Sequence, residues 1–162
     1  MNTDQEDVTG HGAVRLNLAG TAVFLAALGI AVPLRSHRFA QYVIGAVSMV
    51  LFAAGVVTTL WAYTRALDRS RVEEVGVANL YLLTGSTSPP PVKRVMLGAL
   101  AVQVIAALIG ASVGAAGLDK GDLNALAFGV LVPMFGIGMN GVWAARHGRY
   151  GPRVSRRDDV ID

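Results

Sequence analysis

Residues Leu123–Ala145 read LNALAFGVLVPMFGIGMNGVWAA. No Asp, Glu, Lys, Arg or His interrupts this stretch of about 23 residues. At ~1.5 Å of rise per helical residue it covers the ~30 Å hydrocarbon layer of a bilayer. Three apolar runs of the same kind precede it: Leu16–Leu34, Phe39–Tyr63 and Val92–Leu118. The expected fold is therefore all-α, an integral membrane bundle of four transmembrane helices spanning about residues 16–34, 39–63, 92–118 and 123–145. Residues 1–15, with Asp4, Glu6 and Asp7, read as a disordered acidic tail, and residues 146–162 as a basic C-terminal tail. The acidic start and the long first apolar run favour an uncleaved first span over a cleaved signal peptide.

Composition agrees. Only 15% of the 162 residues are charged, against about 25% in a typical soluble protein. The sequence pI of about 9.7 does not imply nucleic acid, because the basic residues sit at the ends of apolar runs and form no stripe along a folded face. With no cysteine, the chain has no disulfide, thiolate nucleophile or Cys-ligated metal. The three histidines are scattered over loops without ligand spacing, and no cofactor is expected.

Four spans put both termini and the loop at residues 64–94 on one side. That side carries eleven of the fourteen Lys and Arg residues, and the other holds Arg35, Arg38 and Lys120. By the positive-inside rule, the termini and the long loop are cytoplasmic and the protein is a multi-pass protein of the plasma membrane. Arg146, Arg149, Arg153, Arg156 and Arg157 set this orientation and are suited to attract anionic lipid headgroups on the cytoplasmic side.

The loop divides in two. Ser70 and Glu73 fit an S-x-x-E capping box and Gly85 a helix stop. Wound as a helix, residues 71–84 place Val72, Val75, Leu82 and Leu83 on one side, with Glu73, Glu74 and Tyr81 opposite. Such a helix packs under the bundle, lies in the headgroup plane or docks a partner; a short strand at Val77–Leu83 also fits. Ser86–Pro91 (STSPPP) is then a stiff linker into the third span.

Within the spans, Gly136-Ile-Gly138-Met-Asn-Gly141 spells G-x-G-x-x-G. A dinucleotide site needs that string between a strand and a helix, and here it lies inside an apolar run. Close helix packing is the better reading. Ala106, Gly110 and Gly114 in the third span, and Gly136, Gly141 and Ala145 in the fourth, repeat small-residue spacing expected to pack those two spans on each other or on a partner. Pro133 is expected to kink or loosen the fourth span, and Asp122 to cap it. The polar residues of the spans are Asn17, Thr21, Gln41, Ser48, Thr58, Thr59, Gln103, Ser112, Asn124 and Asn140, none of them ionisable. Proton relays and ion-coupled sites usually need an ionisable group at that depth. Gln103 and Asn140 lie deepest and read as interhelical hydrogen-bonding groups.

The strings Asn79–Gly85 (NLYLLTG), Gly98–Val104 (GALAVQV) and Phe128–Gly148, ending WAARHG, resemble those of small four-span membrane proteins of actinobacteria that carry no assigned activity. The resemblance covers roughly the second half of the chain. It implies a bacterial plasma-membrane location and brings no functional residue with it. The expected function is a non-enzymatic accessory or scaffold subunit of a plasma-membrane assembly, working as a homo- or hetero-oligomer. The alternative is an oligomeric carrier or pore for a neutral or lipidic solute. An enzyme acting on headgroups has Glu73 and Glu74 to offer, without a nucleophile or oxyanion site.

Overall fold

The structure, a computed structural model, describes residues 10–34, 36–116 and 124–152. The acidic residues 1–9, Arg35, Asp119, Lys120, Asp122, Arg153, Arg156 and Arg157, on which several expectations fell, lie outside the described residues. In chain order the elements are α1 (His11–Ala31), α2 (Arg38–Arg69), the short α3 (Val77–Tyr81), α4 (Pro90–Ala115), a 3-10 helix (Ala125–Leu131) and α5 (Pro133–His147). Four units are long and apolar enough to cross a membrane: α1, α2, α4, and the 3-10 helix with α5. The fold is the all-α four-helix bundle expected from the sequence.

The chain runs up and down. Gly10, at the start of α1, lies against Trp143 near the end of α5, and Arg69, at the end of α2, reaches Ala145 and Gly148. The long loop and both ends of the described chain therefore share one face of the bundle.

Boundaries differ from the sequence reading at several ends; α4, for one, opens at Pro90, inside the expected linker, and stops at Ala115. Helix α1 begins at His11, so residues 11–15 are ordered helix and not tail. Helix α2 continues six residues past Tyr63, because Ala62 and Ala66 are still buried in the core. At 32 residues and ~1.5 Å each, α2 is about 48 Å long, more than a ~30 Å core requires.

The interior combines apolar side chains such as Phe24, Ile44, Met96 and Phe135 with several small and polar residues, while large apolar side chains also cover much of the exterior. Asn17, Thr21, Ser48, Gln103 and Asn140 are buried beside Ala27, Ala31, Ala62, Ala107 and Ala144, whereas Val50, Val57, Leu60, Ile105 and Leu108 are exposed. In water this arrangement would be unfavourable. In lipid an apolar exterior carries no such cost.

The fourth span is central: half of it lies inside the bundle, against about a sixth of α2. Its tightest neighbour is α2, and it packs on α4 as well. A Cβ on Gly55 would stand 2.5 Å from the backbone of Met134 and Phe135, and one on Gly138 would stand 2.6 Å from the Gly55 carbonyl oxygen. Only glycine admits two backbones this close. Of the expected packing residues, Gly136 does meet α4, at Leu100 and Gln103, while Gly141 meets Ala62 of α2 and Tyr81 of α3. Gly110 seats Leu28 of α1, and Gly114 seats Asn124 just before the 3-10 helix. Ala145 is buried and Ala106 partly so.

Pro133 divides the fourth span. Lacking an N–H, it opens α5 at the first helical position. Before it the chain is 3-10, and Val132 N–H bonds the Gly129 carbonyl at 3.0 Å. Asn124 caps this segment: its Oδ1 accepts from Ala127 N–H at 3.2 Å, and its Nδ2 donates to the Ala111 carbonyl at 3.0 Å.

Candidate functional site

The site that the fold assembles is the face shared by residues 64–94 and 146–152, and Arg69 is its centre. Arg69 Nε donates to Glu73 Oε2 at 2.8 Å, Nη1 to the Ala145 carbonyl at 3.2 Å and Nη2 to the Gly148 carbonyl at 3.0 Å. The guanidinium also stacks 4.7 Å from the centre of the Tyr150 ring. The last carbonyls of α5 have no partner within their helix and carry the negative end of its dipole, so a planar five-donor cation suits them. Tyr150 in turn donates its hydroxyl to the Ala144 carbonyl at 3.1 Å.

These contacts fold the chain after α5 back across the loop. Glu74 N–H donates to the Gly151 carbonyl at 2.9 Å, Glu73 pairs with Pro152 as an isolated antiparallel bridge, and Arg149 N–H donates to the Thr87 carbonyl at 3.0 Å. A second clamp holds α3. Tyr81 donates its hydroxyl to the Thr59 carbonyl of α2 at 3.0 Å, and Asn140 Nδ2 of α5 donates to the Tyr81 carbonyl at 3.0 Å. Burial raises the pKa of Tyr81 above the usual phenol value, with Tyr63 adding to the effect. Burial also raises that of Tyr150, the Arg69 cation opposing and the Glu73 carboxylate assisting. Both phenols stay protonated donors at neutral pH.

The expected loop helix is overturned. Ser70 does not open a helix; it caps the end of α2, its hydroxyl donating to the Leu67 carbonyl at 2.7 Å. Glu73 is drawn into the Arg69 pair, and helix exists only over Val77–Tyr81, which also excludes the strand reading. The predicted apolar side is split. Leu83 is fully buried, held at φ 52°, and Val75 packs on the core, whereas Val72 and Leu82 are exposed. The sequence reading passed over Leu80, which is buried, and Val77, which is exposed. It also treated Arg69 as one orientation charge among many. The signal it lacked was distance: Arg69 and the carbonyls it caps are 76 and 79 residues apart.

What the face presents outward is Val72, Val77 and Leu82, at 71, 66 and 47% exposure. Beside them, Arg65 and Arg146 bring their guanidiniums within 5.6 and 4.8 Å of the centre of one ring, Trp61. Deeper in the bundle, Gln103 Nε2 donates to Thr21 Oγ1 at 2.7 Å and to Asn17 Oδ1 at 3.3 Å, tying α4 to α1. Among the described residues, no three His, Asp or Glu side chains gather where they would hold a metal ion.

No protein-family model matches this chain, no curated protein is similar to it in sequence, and no solved structure matches its fold.

Proposed function

We propose that this chain is a non-enzymatic accessory or scaffold subunit of a plasma-membrane assembly, offering its loop-side face to a partner at the cytoplasmic surface. The observation that carries the reading is a contrast within one loop. Residues 70–88 are pinned by Arg69, Tyr81, Asn140 and Arg149, yet Val72, Val77 and Leu82 remain exposed. Holding apolar side chains out on a fixed platform reduces the ordering cost of binding. Orientation rests on the eleven-to-three distribution of Lys and Arg. The proposed lipid neighbours are anionic: two guanidiniums over one indole at the end of a span repel each other and favour a phosphate between them.

The test is purification of the full chain from its native membranes in mild detergent. A stoichiometric partner should accompany the wild type and be lost from the Val72→Ser/Val77→Ser/Leu82→Ser variant, with thermal stability unchanged because those side chains are exposed. If the wild type instead purifies alone as a stable oligomer and moves a neutral solute across liposomes, the scaffold reading fails.

A further inference from the structure

At the end of the bundle opposite the loop-side face, α2 and the 3-10 helix part to leave a lateral groove of about 510 Å³. Its α2 wall runs from Arg38 through Tyr42 and Gly45 to Met49, and Ala125 and Phe128 form the other side. These α2 positions are spaced four, three and four apart, so they share one face of the helix. A Cβ built on Gly45 meets nothing within 4 Å. Tyr42, Met49 and Phe128 are all exposed along the lips. The volume lies in the ~300–1,000 Å³ range of pockets that hold small organic ligands.

The groove has two chemical ends. From Gly45 to Met49 it is apolar. At its mouth stands Arg38, the first residue of the 32-residue α2, whose N-terminus has no side-chain cap. The unpartnered N–H groups of that first turn add the positive end of the helix dipole to the Arg38 charge. Among the described residues no carboxylate pairs with Arg38. This is also the end of the bundle poor in Lys and Arg, where the positive-inside rule disfavours a cation.

We propose that the groove seats an anionic phospholipid, with one acyl chain along Gly45–Met49 against Phe128 and the phosphate on Arg38 and the first turn of α2. The occupant follows from medium and charge. A groove open sideways in a bilayer is filled by the lipid around it, and shape alone would accept any acyl chain. Arg38 supplies the selection, since a zwitterionic headgroup carries no net charge for it to neutralise. The proposal requires the bundle to lie in a bilayer and is independent of the scaffold reading.

Native mass spectrometry of the full chain, released from mild detergent after incubation with dioleoyl phosphatidylglycerol or dioleoyl phosphatidylcholine at equal concentration, tests it. Gly45→Leu fills the groove and should carry one phosphatidylglycerol fewer than the wild type. Ala46→Phe, at an exposed neighbouring position, should do the same if Gly45→Leu does not fold. Arg38→Gln should keep the number of bound lipids but lose a preference for phosphatidylglycerol of about fivefold, the value of one cation near a headgroup. Unchanged lipid counts in Gly45→Leu and Ala46→Phe would overturn the proposal, as would a preference that survives in Arg38→Gln. A wild-type dimer that Gly45→Leu splits without loss of lipid would place a second copy of the chain in the groove, and would overturn it too.

Discussion

At the scale of single residues, the loop-side face depends on polar groups that work as caps and pins. Tyr150 shows how this couples to pH. Its hydroxyl donates to the Ala144 carbonyl beneath the Arg69 guanidinium, and burial holds its pKa above the ordinary value of 10. A group whose folded-state pKa lies above its unfolded value contributes stability that is fully present below the unfolded pKa and is lost as pH rises through the folded one. Tyr150 should therefore contribute stability in detergent that does not vary with pH near neutrality and that falls away above about pH 10, as a phenolate comes to face a carbonyl. Tyr150→Phe should cost about 1 kcal/mol at neutral pH and flatten the alkaline decline, without abolishing it because Tyr81 titrates in the same direction. An alkaline decline as steep in Tyr150→Phe as in the wild type would refute this account.

At the scale of elements, the bundle is ordered by how closely helices approach. The α2–α5 crossing at Gly55 and Gly138 is backbone on backbone, so a side chain there has nowhere to go. Gly55→Leu should destabilise the bundle by about 1–3 kcal/mol or more through overpacking. Gly98→Leu, where an added Cβ meets open space, should be close to neutral. Both sit in long membrane helices and lose the same glycine, which leaves packing as the difference between them. Equal unfolding midpoints for the two variants in a detergent-denaturant titration would show that the crossing does not hold the bundle together. The signal for Gly55 was present as a seven-residue spacing of small residues, Ser48, Gly55 and Ala62. The four-residue spacing of small residues points instead to Gly110 and Gly114. Those two seat Leu28 and Asn124 inside the bundle, so substituting them would test intramolecular packing and not partner binding.

At the scale of the whole molecule, the question is which face meets which compartment. The loop and both ends of the described chain share one face, and the turn between α1 and α2 lies at the other. The absence of cysteine makes single-cysteine labelling clean. Ser86→Cys, at an exposed loop position, should react with a membrane-impermeant maleimide only after the cells are permeabilised. Ser36→Cys, exposed at the opposite end, should react in intact cells. The reverse pattern would invert the proposed orientation and move the loop-side platform outside.

The sequence by itself determined the medium, the number of spans and their alternation, because each depends on local quantities: the length of an uncharged run, and the charges that interrupt it. It also located the break at Pro133, since a missing N–H acts where it stands. Tertiary structure alone decided which glycines touch which helices, and that Ser70 ends a helix where its spacing to Glu73 had suggested a beginning. It likewise made Arg69 the pin of a platform and gave Arg38 a groove. Each of these depends on groups distant in the chain, and the same residue types in the same local pattern have different roles according to what the fold sets opposite them.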